Sequence, residues 1–582
     1  MTYAATTPAV EQVASARSRY GWPAGVLVVA TMGSLLIFHQ VWADPAHLTL
    51  GGPRHTNDPM VATWNLKWVP WQLAHGHSPF STNAIYYPGG VSLSWNTLIP
   101  TLGILAAPIT FTLGPQVAYA VLMTLAPALA ALSGFYWLRR HTTRPAAAAL
   151  GGLVVGFNPF ITGHLQGHLN LVFVALIPVM LMLFEDLLWR RPRPNARTAA
   201  YLGLVTAAQA GISEELILIT ALAMAIPLAC SAVVFGRRLW ELVQSSWPAM
   251  LGTLGVFLLA ASPLLVSQLF LSKHVELHSA HWRATLGDYV VPMHGQLLDP
   301  NWTHFTYVGG AENGVYLGVV LLAVLVVGII TSARRDRRVR AAAATLAGLA
   351  VLTFGESRPL GLPLPWRALS HLPALTSILP VRFSFAAYLV VAWLLAHWLD
   401  ALLITARGRW RTSPAVLVAM AAVVAAVVTI VPFQVGAGPV PANVSFFTTG
   451  QSQALFGRDV AILLLPAATF GDASGMYYQM QADFSFTQPG GYALRPENNH
   501  AEYGPPDSPL VRLAAAASLG RTQSEDVAAG RRQLAAEHYR GIVVVRDAPG
   551  SASLIRLAEQ LTGRPADRAT GGVEVWLLPV AR

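Results

Sequence analysis

The chain has 582 residues, of which 54% are hydrophobic and 11% charged, less than half the charged share of about 25% found in soluble globular proteins. A mean hydropathy of +0.48 and apolar runs of about 20 residues recurring from Val26 to Val431 describe a chain that crosses a bilayer many times. They exclude an ordinary soluble enzyme, a disordered chain, a collagen-like repeat and a coiled coil. The net charge of +10 is a topology signal and not a nucleic-acid signal. Of the 26 Lys and Arg before residue 433, 19 fall in six short segments between apolar runs (Arg17–Arg19, Arg139–Arg144, Arg190–Arg197, Arg237–Arg238, Arg334–Arg340, Arg407–Arg411), as the positive-inside rule predicts for cytoplasmic loops. The single cysteine, Cys230, allows no disulfide framework and no Cys-rich metal site.

Placing those basic segments inside predicts an α-helical polytopic membrane protein of about eleven spans, near 23–42, 116–138, 146–162, 169–189, 198–213, 214–235, 247–271, 313–332, 341–355, 383–404 and 414–432. The N-terminus is then cytoplasmic and the C-terminus extracytoplasmic, in a multi-pass protein of the plasma membrane. The first run has no small-residue cleavage site and is expected to be retained. The apolar stretch 97–113 breaks the parity of the topology if it crosses, so it is expected to be re-entrant or surface-lying. Residues 1–432 form the transmembrane part, with long outer loops at 43–96, 272–312 and 356–382, and function is expected on the outer side.

The first outer loop carries Asn57-Asp58-Pro59 and then Val61, Trp64, Trp68 and Trp71 at helical spacing. This predicts an amphipathic helix at the outer interface, capped by Asp58, with its tryptophans in an aromatic belt. Asp58, flanked by Arg54 and His55, is also placed to act as a general base toward a hydroxyl. Asp44 is the competing acid. The turn from Thr162 to Asn170 offers His164 and His168 as polar pocket lining, a spacing that also fits a metal pair on a helix. Glu214 and Glu215 sit at the tip of a helical hairpin as a second acid, a metal ligand or a solvated turn. In the loop 272–312, His274, Glu276, His278 and His281 give a weak metal signal, and Trp282 and Arg283 follow.

After Pro432 the composition changes to 12 Arg and 13 acidic residues. Strands are predicted at 460–465, 541–545 and 573–578, and helices at 524–539 and 551–561, so residues 433–582 are expected to form an extracytoplasmic α/β domain.

A retained first span, an acidic residue near the start of a long outer loop, a juxtamembrane helix, the turn Tyr86-Tyr87-Pro88-Gly89-Gly90, about eleven spans and a C-terminal extracytoplasmic domain resemble the GT-C superfamily of glycosyltransferases. Protein mannosyltransferases, the aminoarabinose transferase of lipid A and mycobacterial arabinosyltransferases are similar in layout. The resemblance implies that a polyprenyl-phosphate-linked sugar is the donor, that Asp58 is the catalytic base, and that transfer to an envelope glycan, lipid or protein proceeds with inversion, in cell wall biogenesis. With Asn57 before Asp58, the sequence departs from the Asp-Glu pair of protein mannosyltransferases and from the Asp-x-Asp of metal-dependent oligosaccharyltransferases, so a divalent cation stays an open element and no other cofactor is expected. A transferred sugar needs positive charge for its leaving phosphate, and the candidates are Arg382, preferred for its two-pronged guanidinium, then Arg54, Lys273 and Arg283, with His164 and His168 as hydrogen-bond donors. Trp64, Trp68, Tyr87 and Trp282 are the candidate sugar or acceptor contacts. The alternatives are a transporter or flippase of a lipid-linked saccharide and a non-catalytic envelope-assembly protein. Against the transporter, no internal duplication is visible and the ionisable groups sit at span ends.

Overall fold

A computed structural model describes residues 8–51, 57–190, 195–273, 282–293, 295–298, 312, 314–372, 375–407, 413–433, 435–497, 500–521 and 526–579. The chain divides into two compact units. The first comprises Met1–Trp42, Val121–Ser262 and His278–Gly436, and the second Ala43–Ala120, Pro263–Leu277 and Ala437–Arg582.

Among the described residues six helices are long and apolar enough to cross a membrane: Tyr20–Ile37, Pro115–Leu138, Pro145–His164, Leu169–Leu188, Trp240–Ala260 and Pro380–Ala406. The remaining expected spans are shorter helices or part of a merged one. Ala196–Ala210 and Gly318–Ser332 have 15 residues each, about 22 Å of helix against a hydrocarbon core of about 30 Å. The expected spans 214–235 and 247–271 join in one element, Glu214–Ala260, broken at Gly236, whose φ of 27° is non-helical. This is where the basic pair Arg237-Arg238 begins.

The first unit is built by close approach at small residues. Helix Pro145–Gly156 packs against Ser384–Arg407, and a Cβ on Gly152 would lie 2.6 Å from the Ala131 carbonyl oxygen and 2.9 Å from the Phe135 nitrogen. Gly151 meets Leu138 and Ala392 in the same way. The basic segment at 139–144 is neutralised within the unit. Arg140 binds Asp186 through both terminal nitrogens at 2.9 and 3.0 Å, His141 meets Glu185 at 2.9 Å, and the Asp400 carboxylate accepts the N–H groups of Thr143 and Arg144 at the head of helix Pro145–Gly156. The opposite extreme is Trp240–Ala260, whose Trp247, Leu251, Leu254 and Leu258 are exposed while Thr253 and Val256 pack against Gly203 of Ala196–Ala210, the pattern of a helix with one packed face and an apolar outer face.

The second unit contains a five-stranded mixed sheet. Its strands are β1 (Val460–Leu465), β2 (Phe486–Thr487), β3 (Gly541–Val545), β4 (Arg568–Thr570) and β5 (Val573–Leu577), in the order β4-β5-β3-β1-β2, with β1 parallel to β3 and to β2. Apolar residues on both faces of β1 and β3 require cover on both sides. Leu463, Leu465, Ile542 and Val544 meet Leu513, Leu534, Leu554 and Leu557 of three helices on one face. Ile462, Leu464, Val543 and Val545 meet Phe446, Phe447, Phe456 and Tyr478 on the other. The three strands and two helices expected here are present, the helices at Val527–Ala536 and Ser551–Thr562.

The composition boundary at residue 432 follows the last apolar helix of the first unit, Pro414–Val428, while the sheet-bearing unit also includes Ala43–Ala120 and Pro263–Leu277. Main-chain hydrogen bonds tie Tyr87 to Gln488 at 3.0 Å and Gln488 to Ala84 at 3.0 Å, and the Tyr86 hydroxyl donates to the Ala493 carbonyl at 2.7 Å. Helix Asn57–Ala74 packs between helices Pro100–Thr112 and Ser474–Gln481. It is therefore buried on several sides, with Trp64 stacked on Trp68 at 4.8 Å and Phe484 set edge-on to both, rather than presenting its tryptophans as a belt.

The glycine packing gives a direct test. Gly152→Val is expected to cost about 1–3 kcal/mol as overpacking, while Gly255→Ala, with open space around its Cβ, is expected to cost little. Thermal unfolding of detergent-extracted protein should separate the two midpoints, and equal midpoints would contradict the close approach.

Candidate functional site

Each unit assembles one chemically distinctive cluster. In the first, Pro380 opens a single 3-10 turn, Pro380–Phe383, that leads into helix Ser384–Arg407, with Leu379 extended before the proline. The turn carries Arg382, whose side chain is 14% exposed. One terminal nitrogen donates to the Glu215 carboxylate, and the other donates to Glu312 Oε2 at 2.8 Å. Glu215 lies in the first turn of its helix, where a carboxylate complements the helix dipole, and its second oxygen faces the Leu379 N–H at 3.4 Å.

Asn158 ends one helix and starts the next. Its side chain donates to the Val154 and Val155 carbonyls and accepts the Ile161 N–H, so the short helix Pro159–His164 begins again at Pro159. His164 is fully buried at its end, with Nδ1 bonded to the Phe160 carbonyl at 2.7 Å. Its Nε2 lies 3.6 Å from Glu312 Oε2, and His168 Nε2 lies 3.6 Å from Glu312 Oε1. Glu312 reaches this point because Gly314 lies against Phe160. A Cβ there would fall 2.4 Å from the Phe160 Cα, so the approach requires glycine. Burial acts to raise the Glu312 pKa, but the positive charge of His168 and Arg382 and the contact with His164 outweigh it and hold the carboxyl well below the usual glutamate range.

In the second unit Asp58 stands in the first turn of helix Asn57–Ala74, one residue inside the helix start rather than before it. It accepts a hydrogen bond from the Tyr492 hydroxyl at 2.7 Å. Asn57 anchors the facing loop, donating to the Gly471 carbonyl at 2.7 Å and accepting the Ala473 N–H at 3.2 Å. Phe470, Tyr492 and Tyr503 form a mutually packed aromatic group with ring centroids 5.1, 5.3 and 5.9 Å apart, and Phe470 and Tyr503 are exposed. The result is a half-buried carboxylate beside apolar ring faces.

The other predicted residues take varied places. Trp282 and Arg283 run beside the Arg382 turn, since the Val381 N–H meets the Trp282 carbonyl at 3.4 Å and Ala284 bonds to Thr353 at 2.9 Å. Glu214 is exposed at the start of its helix. Asp44 pairs locally with His47 at 3.0 Å and is half exposed. Lys273 is exposed. Trp64 and Trp68 are buried, with their ring nitrogens bonded to Gln479 and to the Pro79 carbonyl, so they act as packing and offer no face to a sugar. The Tyr87 hydroxyl donates to the Glu537 carbonyl at 2.8 Å, and its ring packs edge-on to Tyr539. Arg54, His55, His274, Glu276, His278 and His281 lie outside the described residues. Among the described residues, one group of metal-ligating type brings its donor atoms within 4.8 Å of one another: His164, His168 and Glu312.

Sequence reading missed Glu312, Tyr492, Phe470 and Tyr503. The one local signal was for Glu312, a carboxylate next to the glycine-bounded start of an apolar run. Tyr492 and the two exposed rings carry no local signal, because their partner lies more than 400 residues away in the chain.

The downward shift of Glu312 fixes a pH dependence. Its contribution to stability is present above the ordinary glutamate value of about 4.3 and is lost as pH falls below it. Wild type is expected to lose thermal stability more steeply than Glu312→Gln between about pH 5 and pH 3. Parallel curves for the two proteins would contradict the assigned interactions.

Comparison with known proteins adds the following. No curated protein matches the chain. Among solved structures it is similar to the oligosaccharyltransferase of Archaeoglobus fulgidus in the apo form, at 14% identity and a TM-score of 0.45, covering 80% of this chain and 65% of that one. This chain therefore spans about two thirds of that relative's length. The same archaeal enzyme, AglB, in complex with an inhibitory peptide and a dolichol-phosphate is similar at 14% identity and a TM-score of 0.45 over 94% of this chain and 72% of that one. ArnT from Cupriavidus metallidurans bound to undecaprenyl phosphate is similar at 12% identity and a TM-score of 0.45, over 96% and 98% of the two chains. One family model, described as a domain of unknown function (DUF6311), matches residues 63–357, half of the chain, and the protein belongs to that family.

Proposed function

We propose that this multi-pass membrane protein is a GT-C-type glycosyltransferase that moves a sugar from a polyprenyl phosphate to an envelope glycan, lipid or protein acceptor at the outer face of the plasma membrane, with inversion. The observation that carries the proposal is Asp58, a half-buried carboxylate bonded to the Tyr492 hydroxyl beside the exposed rings of Phe470 and Tyr503. Exposed aromatic faces next to a carboxylate suit a saccharide, whose apolar ring face stacks while a hydroxyl meets the acid. The apolar scaffold suits a donor that resides in the bilayer.

In the proposed reaction an acceptor hydroxyl gives its proton to the Asp58 carboxylate, and its oxygen forms a bond to the anomeric carbon. The bond from that carbon to the phosphate oxygen breaks, and the polyprenyl phosphate leaves with the electron pair. Arg382 is the cation for that phosphate, with Arg283 near it in the fold. Both terminal nitrogens of Arg382 contact Glu215 and Glu312, so phosphate binding requires more positive charge than the guanidinium alone supplies. In the topology that accompanies the proposal, the N-terminus is cytoplasmic and the sheet-bearing C-terminal part extracytoplasmic.

The test is transfer of labelled sugar from membrane polyprenyl-phosphate donors. Asp58→Asn is expected to lower the rate by about 10²–10⁴-fold with donor binding unchanged at matched expression and folding. Transfer by neither protein, with lipid-linked saccharide crossing reconstituted vesicles, would replace the enzyme by a flippase.

A further inference from the structure

We infer that His164, His168 and Glu312 form a binding site for a divalent transition metal, with zinc the best match. Two imidazole nitrogens and a carboxylate are the ligand set of a borderline-soft ion, whereas magnesium and calcium favour oxygen alone. Spacing agrees with this. Each histidine Nε2 lies 3.6 Å from a Glu312 oxygen, His164 from Oε2 and His168 from Oε1, and the three donors lie within 4.8 Å of one another; ligands bound at about 2.0–2.1 Å around a tetrahedral ion are about 3.3–3.4 Å apart, so a small inward movement closes the set on an ion.

The direction of the His164 ring is the second observation. Its Nδ1 is bonded to the Phe160 carbonyl at 2.7 Å, a contact that only an N–H can make, so in the neutral ring the lone pair sits on Nε2. That atom is fully buried and has no hydrogen-bond partner, and it faces a carboxylate that has no proton to donate. A lone pair aimed at an anion is repulsive, so the contact requires either a second ring proton, which makes an ion pair with Glu312, or a cation between the two groups. A ring N–H donated to a backbone carbonyl is also the usual outer support of a metal-bound histidine. Arg382 supplies the corresponding support for Glu312, fixing Oε2 at 2.8 Å.

Charge points the same way. Arg382 carries one positive charge and contacts two carboxylates, Glu215 and Glu312, leaving one negative charge in surplus when both imidazoles are neutral, the form in which they bind a metal. A divalent ion turns that into one positive charge, and three protein ligands leave a coordination position open. An anionic oxygen of a phosphate fits that position, so the inference deepens the proposed function and rests on it for the identity of the ligand, though not for the metal itself.

The test uses full-length protein in detergent, stripped with a chelator, supplied with zinc sulfate and then desalted. Wild type is expected to retain one zinc per chain, and cobalt substitution is expected to give the visible bands of a tetrahedral centre. His164→Gln and the less buried His168→Ala are each expected to reduce retained zinc by on the order of tenfold or more, with the metal-free thermal midpoints measured alongside to show that both variants fold. Wild type that retains no more zinc than the His164→Gln, His168→Ala double variant would overturn the site and leave a histidine–carboxylate ion pair in its place. The readout is metal content, which needs neither donor nor acceptor, so failure of glycosyl transfer and failure of metal binding are told apart.

Discussion

A guanidinium held between two carboxylates organises the first unit. Arg382 meets Glu215, from the head of one helix, and Glu312, from the segment before another, while His164 and His168 approach Glu312 from a third element. Charges in so buried a setting are retained only when paired. The pairing also dictates backbone. Pro380 sets the turn that presents Arg382, Asn158 interrupts a helix so that His164 lies at its end, and Gly314 lets the Glu312 segment touch Phe160. Four separate stretches of chain are thus held by one charge cluster.

The second unit has a different logic. Its sheet is buried on both faces by ordinary apolar packing, and the chemistry lies where the first-loop helix is fastened to the loop after β1. Asn57 fixes that loop through its main chain, which brings the exposed ring of Phe470 and the hydroxyl of Tyr492 to Asp58. The tryptophans on the same helix stack on one another and on Phe484 and hold the helix in place. Apolar mass positions the helix, and the carboxylate at its start is held by the Tyr492 hydroxyl.

What the sequence reveals divides along a physical line. Spans such as Pro115–Leu138 and Pro380–Ala406, and strands β1, β3 and β5, are legible because hydropathy and periodicity are local. Asp58, Arg382, Glu215, His164 and His168 stand out singly, as ionisable groups at the ends of apolar runs. Their pairing does not, since the ion pair between Arg382 and Glu215 joins residues 167 apart and that between Arg382 and Glu312 joins residues 70 apart. The reading of Trp64 and Trp68 as a surface belt fails for the same reason. Helical spacing shows that they share a face, but the partner on that face, Phe484, lies more than 400 residues downstream. The boundary at 432 follows composition, whereas the compact unit follows hydrogen bonds such as Tyr86 to Ala493.

The most direct measurement is photo-crosslinking of a polyprenyl phosphate analogue, reactive near its phosphate, to wild-type protein in membranes, followed by mapping of the labelled peptides. The account predicts labelling within residues 159–172, 212–218 or 376–386, the stretches that carry His164, His168, Glu215 and Arg382, and loss of that labelling when unlabelled polyprenyl phosphate is added. Labelling confined to other parts of the chain, or unaffected by the competitor, would contradict a donor phosphate held by the Arg382 cluster.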